Sequence, residues 1–334
     1  MSYPDTFHSL VVRKDDTSFS VQVEEMTLDA LPEGEVLIHV EYSSINYKDG
    51  LACTPNGKIV RSYPFIPGID LAGTVAHSTD ARFHDGDPVL VTGYNLGVSH
   101  FGGFSEYARV PADWVVPLPS GLSAKEAMVF GTAGFTAALS VYRLQSVGVT
   151  PDKGPVLVTG ATGGVGSVAV ALLAHQGYEV VASTGKMSEA EYLRQLGVKE
   201  MKSRSETSAE SPKPLEKELW AGAVDPVGGS TLSYLLRTTR YGGAVAVSGL
   251  TGGTDVHTSV FPFILRGVNL LGIDSVFCPM DVRREVWAKL ATEWKPKAEL
   301  FEAMTNREIG LEGIPDAFPL VLQGQMRGRV VVKV

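Results

Sequence analysis

The sequence predicts an α/β chain in two parts, a mostly antiparallel β region followed by a doubly wound parallel sheet, and three observations carry that expectation. Short β-rich runs broken by proline and glycine fill residues 1–122, and strands alternate with helical stretches from residue 123 onward. Third, the run from Val156 to Val170, VLVTGATGGVGSVAV, sets a knot of glycines between an apolar strand and a small-residue helix start. With 334 residues the chain has room for two cores.

In order along the chain, the first part offers VLIHVEY (36–42), GTVAHS (73–78), DPVLVTGY (87–94) and EYARVPADWVVPL (106–118), with Pro64, Pro67, Gly68, Gly102 and Gly103 between them. Ser123 and Glu126 spell a capping box ahead of a long helix. Six strands then fall at 155–160, 178–183, 199–203, 222–227, 243–249 and 268–274, and a second capping box at Ser188 and Glu191 opens a helix ending at Gly197. Strands spaced by helices in this way predict a parallel sheet covered on both faces. The polar stretch 203–214 reads as a surface loop, REVWAKLATEW (284–294) as a helix, and the terminal GRVVVKV as a strand that needs a partner. The simplest partner is the first β region. The expected division is therefore a discontinuous domain, 1–122 with 276–334, around an inserted domain at 123–275.

A net charge of −8 argues against a nucleic-acid surface and leaves small molecules as the expected partners. Cys53 and Cys278 are far apart and offer neither a CxxC pair nor metal spacing, and they read as packing residues in a reducing compartment. No apolar run of about 18 residues stands out as a bilayer span and the N-terminus lacks a signal core, so a cytoplasmic protein is expected. The seven histidines show no triad or ligand spacing.

Gly160, Gly163, Gly164 and Gly166 do not spell G-x-G-x-x-G, yet the strand before them, the helix after them and a second strand within about 30 residues are the context of a dinucleotide phosphate loop. Thr162, Gly163, Gly164 and Val165 are its expected pyrophosphate contacts; a glycine turn without a ligand is the plain alternative. Where an NAD site places an acid after the second strand, this chain reads VVASTGKMS, with no carboxylate before Glu189. Thr184, Gly185 and Lys186 suit a 2′-phosphate, so NADPH is the expected cofactor. Arg204 is a second cation for that phosphate or a solvated surface arginine. Leu250 and Ser275, at the ends of the fifth and sixth strands, are expected near the nicotinamide.

GGFSEYARVP, VTGATGGVG and the returning GRVVVKV together resemble the medium-chain dehydrogenase/reductase superfamily, with its GroES-like β domain and Rossmann domain. Where zinc alcohol dehydrogenases of that superfamily carry a ligand cysteine and histidine, this chain has Asn46 in NYKD and Ile69 in GID, so no metal is expected. INYKDGLA, IPGIDLAGTV, GTAGFTAALSV, DPVGG and PFILRGVNLLGIDS resemble the zinc-independent acryloyl-CoA reductases, a group that also carries the name quinone oxidoreductase. The resemblance implies hydride transfer from NADPH to the β-carbon of a short enoyl-CoA, with hydrogen-bond donors at the thioester oxygen instead of a Lewis acid. It makes Tyr47 a candidate donor, or a residue that positions the cofactor, and Asn46 a second catalytic candidate. Lys48 and Asp49 read as an ion pair or turn support. The resemblance adds Ile264 and the segment around Gly324 to the cofactor contacts, and a homodimer through the edge of the cofactor sheet. Lys58 and Arg61 are either partners for coenzyme A phosphates or solvated cations. Reduction of quinones or free enones is the competing enzymatic reading, and a non-catalytic NADPH-binding redox sensor is the reading from another class.

Overall fold

The computed structural model describes residues 4–334. A hairpin of β1 (Thr6–Lys14) and β2 (Phe19–Thr27) precedes β3 (Val36–Ser44), α1 (Tyr47–Ala52), β4 (Asp70–Ser78), β5 (Pro88–Thr92), β6 (Tyr107–Val110), β7 (Val116–Pro117) and α2 (Ala124–Ser146). Next come β8 (Val156–Val158), α3 (Gly164–His175), β9 (Val180–Thr184), α4 (Ala190–Gln195), β10 (Glu200–Ser203), β11 (Trp220–Asp225), α5 (Gly229–Thr238), β12 (Thr239–Val247), α6 (Phe261–Arg266) and β13 (Asn269–Gly272). The chain closes with α7 (Met280–Ala291), α8 (Ala298–Met304), β14 (Thr305–Ile309), α9 (Ile314–Leu322) and β15 (Arg329–Lys333).

Two compact units result: Met1–Thr132 with Val276–Ala291 and Thr305–Val334, and Ala133–Ser275 with Thr292–Met304. The first boundary lies after Thr132 rather than at 122, because Phe130 packs its ring on Trp287 and Thr132 donates two hydrogen bonds to Asp70. Likewise, residues 292–304 leave the predicted first domain, since α8 packs on α3 and α4.

In the first unit one sheet runs β14-β15-β3-β4-β5-β7, with β6 also pairing β3. Its core is the β-branched and leucine face of these strands, including Val36, Ile38, Leu71, Val75, Val89 and Val91. The terminal strand does return to this sheet: Val331 lies opposite Ser44 in an antiparallel pair. The β1–β2 hairpin is absent from the predicted strands. Its turn is built by Asp15, whose carboxylate accepts from the backbone and hydroxyl groups of Thr17 and Ser18, and these bonds hold it well below the usual carboxylate range.

The second unit is a six-stranded, wholly parallel sheet in the order β10-β9-β8-β11-β12-β13. Numbered from its own first strand this is 3-2-1-4-5-6, the dinucleotide-binding order, which reverses direction between β8 and β11. The first predicted capping box forms, with Ser123 N–H donating to Glu126 and Glu126 N–H to the Ser123 hydroxyl. The second does not. A short 3-10 turn, Met187–Glu189, takes its place, α4 starts at Ala190, and Glu191 instead faces Arg194. Contrary to the sequence reading, α2 is long and apolar enough to cross a membrane, but 83% of its apolar window is buried within the protein, as in a core helix.

Candidate active site

Between β3 and α1 the first unit encloses a buried polar cluster where the sequence resemblance would put a metal. Asp70, with no exposed surface, accepts hydrogen bonds from the Ser44 hydroxyl at 2.6 Å, the Asn46 amide at 2.7 Å and the backbone N–H of Thr132 at 2.9 Å. The last of these requires the break in α2: Gly131 sits at φ +53°, and a Cβ there would lie 2.5 Å from both the Asp70 carboxylate and the Ser44 hydroxyl. Arg329 supplies the countercharge at 3.9 Å from Asp70 and donates to the Ser44 hydroxyl, to Asn46 Oδ1 and to the carbonyls of Ile45 and Val129.

Asp49 completes the cluster. It accepts the N–H groups of Asn46 at 2.8 Å and Ile69 at 2.9 Å, capping α1 from within, and makes no ion pair with Lys48. Full burial, with the charge of Asp70 nearby, pushes its carboxyl up to about 7 despite those donors. Asn46 bridges the two acids with one amide, so every polar atom of its side chain is engaged with protein. Its place is thus a positioning one. Tyr47, the first residue of α1, points outward at 48% exposure, and its phenol makes no hydrogen bond among the described residues. The donor set does not suit zinc: an amide and an isoleucine stand at the two ligand positions, and among the described residues no three His, Cys, Asp or Glu side chains converge.

In the second unit the carboxyl ends of β8, β9, β11 and β12 carry the loops. Gly160 turns the chain at φ +53°, Gly163 precedes α3 in extended backbone, and Gly166 packs so closely that a Cβ would lie 2.3 Å from the Gly160 carbonyl oxygen. Thr162 reaches the Thr184 hydroxyl at 3.3 Å, tying the glycine turn to the end of β9. Val165 and Gly164 open α3, whose first backbone N–H groups have no partners within the helix. This is a cradle suited to a pyrophosphate.

Thr184 is buried and accepts the Lys186 N–H at 2.9 Å, so it shapes the turn rather than presenting a hydroxyl outward. Exposed Gly185 has the Arg204 guanidinium alongside, about 3.1 Å from where a Cβ would be, and the backbone N–H of Arg204 donates to the Thr184 carbonyl. Burial lowers the Lys186 ammonium, Glu189 opposes that shift and Arg204 adds to it. Two cations therefore converge beside Gly185.

Asp225, missed in the sequence, links three of these loops. Its buried carboxylate accepts from the hydroxyl of Thr159, just before the glycine turn, and from the N–H groups of Val227 and Gly228, while its carbonyl accepts from Ser248. The Asp-Pro-Val-Gly-Gly sequence was its local signal. Leu250 is 66% exposed after β12, Ile264 is 68% exposed on α6, and Ser275 accepts a hydrogen bond from Thr136 at 2.7 Å. Gly324 lies in the first unit, after α9, at φ +67°. The first unit thus brings together Asn46 and Tyr47, and the second brings together the residues of the glycine turn with Thr184, Gly185, Lys186 and Arg204.

The family model "Alcohol dehydrogenase GroES-like domain" matches residues 32–120, and "Zinc-binding dehydrogenase" matches residues 164–292. "Putative quinone oxidoreductase YhfP" of Bacillus subtilis is 57% identical, and the alignment covers 98% of each chain. "Acrylyl-CoA reductase AcuI" of Ruegeria pomeroyi is 51% identical over 98% of this chain and 99% of its own. The crystal structure of the Salmonella enterica YhdH oxidoreductase in complex with NADP superposes with a TM-score of 0.94 at 47% identity, covering 98% of this chain and 99% of that one. The chain therefore belongs to the medium-chain dehydrogenase/reductase family of oxidoreductases, on the branch that holds the acrylyl-CoA reductases and YhfP.

Proposed function

We propose that this protein reduces the activated carbon–carbon double bond of acryloyl-CoA, or a similarly short enoyl-CoA, with NADPH. The observation that carries the cofactor is the pair Lys186 and Arg204 beside Gly185 at the end of β9, where an NAD site would place an acid. The NADP in the Salmonella relative supports the same reading. The glycine turn would hold the pyrophosphate, and the two cations the 2′-phosphate. NADPH supplies a hydride when bound.

What supports the substrate is the 51% identity to a protein named as an acrylyl-CoA reductase. Hydride addition at the β-carbon moves negative charge onto the thioester oxygen, where an aimed donor lowers the barrier, and a proton from solvent then adds to the α-carbon to give the saturated thioester. We assign that role to the Tyr47 phenol, which has no partner among the described residues and starts a helix whose entry Asn46 and Asp49 hold fixed. Asn46, Asp49, Asp70 and Arg329 then act by positioning. The name of the Bacillus relative favours a second reading, reduction of quinones or free enones. Steady-state rates with acryloyl-CoA, a small quinone and a free enone, each with NADPH and NADH, separate the two. Turnover of the quinone with none of acryloyl-CoA overturns the enoyl reading. We also propose a homodimer that pairs through β13, one of the two edges of the cofactor sheet.

A further inference from the structure

Apart from the cofactor loops, the first unit has a hollow of about 560 Å3 between the turn after β1, Lys14–Asp16, and the segment from Pro55 to Tyr63 that follows α1. Its walls are fixed to each other. Val12 and Phe65 exchange backbone hydrogen bonds at 2.8 and 2.9 Å, and the Lys14 ammonium donates to the Pro55 carbonyl at 2.7 Å. Asp15 lines the same space, but its carboxylate is turned onto Thr17 and Ser18. Asp16 adds a second negative charge, so the lining of three cations and two acids is positive overall.

Lys58 and Arg61 stand out within it. Both are exposed, neither forms an ion pair or hydrogen bond among the described residues, and Lys58 is held at φ +56°, a backbone state that side-chain-bearing residues seldom adopt. Two neighbouring cations without ion-pair partners among the described residues, in a lining that is positive overall, are matched by a multiply charged anion. The hollow is joined to Tyr47 by α1 itself, whose six residues rise about 9 Å. A coenzyme A thioester has a reacting end and, at a distance from it, a cluster of phosphates that could answer such cations; a quinone or simple enone has nothing to place there.

We propose that this hollow seats the phosphate groups of a coenzyme A thioester, with Lys58 and Arg61 as the pairing cations and Lys14 bracing the wall. The assignment rests on the reading of the substrate as an acyl-CoA. Its test is the Lys58→Ala/Arg61→Ala double variant, whose two positions are exposed and outside the packed core. For acryloyl-CoA the variant raises KM roughly ten- to a hundredfold with kcat unchanged, while KM for the acryloyl thioester of N-acetylcysteamine, which has no phosphates, stays at the wild-type value. Equal changes with both thioesters, or with neither, overturn the proposal. A calorimetric titration of the NADPH-saturated protein with 3′-phosphoadenosine 5′-diphosphate tests the hollow apart from turnover. Binding by wild type that the double variant loses supports it even if no enoyl thioester is reduced, an outcome that sinks the substrate reading alone. Absence of binding in wild type, or equal binding in both, overturns it even if acryloyl-CoA is reduced.

Discussion

Tyr47, Asp49, Lys186 and Arg204 each give a consequence at the scale of one side chain. Tyr47→Phe removes one hydrogen bond from a charged transition state, and the loss of such a donor costs roughly a hundred- to a thousandfold in kcat. NADPH affinity should stay unchanged, as read by fluorescence titration beside single-turnover rates. A rise in the NADPH dissociation constant alone would make Tyr47 a cofactor-positioning residue. Removing both cations with Lys186→Ala/Arg204→Ala should weaken NADPH binding roughly ten- to a hundredfold and leave NADH binding as it was, because only NADPH carries the 2′-phosphate. Equal loss for the two cofactors would refute that pairing. Asp49 bears on stability. Its carboxyl is raised from 3.8 to about 7 by burial and by Asp70, so between those values the folded state holds a proton that the unfolded state has released. Stability therefore falls as pH rises from about 4 to about 7, by a few kcal/mol at most from this group, and levels off above. Asp49→Asn cannot titrate and should flatten that part of the curve in urea unfolding. An unchanged pH slope in the variant would mean that Asp49 is ionised in the fold across this range.

At the scale of elements, Gly166 in the first turn of α3 shows how packing shapes the cofactor loop. A Cβ there would lie 2.3 Å from the Gly160 carbonyl oxygen and 2.7 Å from the Ala161 Cα, both backbone atoms that cannot step aside alone. Gly166→Ala should cost about 1–3 kcal/mol of stability and push the glycine turn out of register with a pyrophosphate, seen as a lower Tm and lost NADPH binding. At Gly163 the nearest atom to a Cβ is the Gly160 oxygen at 3.3 Å, so Gly163→Ala should be milder. NADPH binding by Gly166→Ala at wild-type strength would sink this account of the loop. The glycine turn and the six strands of the second unit were legible because each is a local pattern: a β-branched run, a glycine cluster, a helix period. The hairpin β1–β2 leaves a weaker trace, alternation at Phe19, Val21 and Val23 after the turn made by Asp15, too short to stand out from the surrounding polar residues. Out of reach altogether was the bond of Arg329, in the last strand, to the Ser44 hydroxyl, or the break at Gly131 that lets Asp70 cap the rest of α2. These depend on partners far apart in the chain, which no window of sequence contains. The same holds for Thr184, whose place at a strand end was readable but whose inward-turned hydroxyl was not.

At the scale of the whole molecule, β13 is one of the two edges of the cofactor sheet, and the proposed dimer turns on it. β13 pairs with β12 on one side only, leaving its outer backbone N–H and C=O groups open to another strand. Apolar side chains surround that sequence region: Leu270 is 43% exposed in β13 itself, and Val260, Phe261, Ile264 and Leu265 are exposed in or just before α6. In the proposed dimer a second copy pairing edge to edge would satisfy both the open backbone groups and this apolar patch. Sedimentation equilibrium should then return twice the chain mass for the wild type. Leu270→Lys sets like charges against each other wherever two copies of the strand meet, and should return the single-chain mass with the far-UV spectrum unchanged. Because this position lies apart from the glycine turn and the cations at Lys186 and Arg204, the NADPH dissociation constant of the variant should match that of the wild type, which separates loss of the dimer from loss of the fold. A wild type that sediments as a single chain, or a Leu270→Lys variant that remains dimeric, would show that this edge is left unpaired in solution.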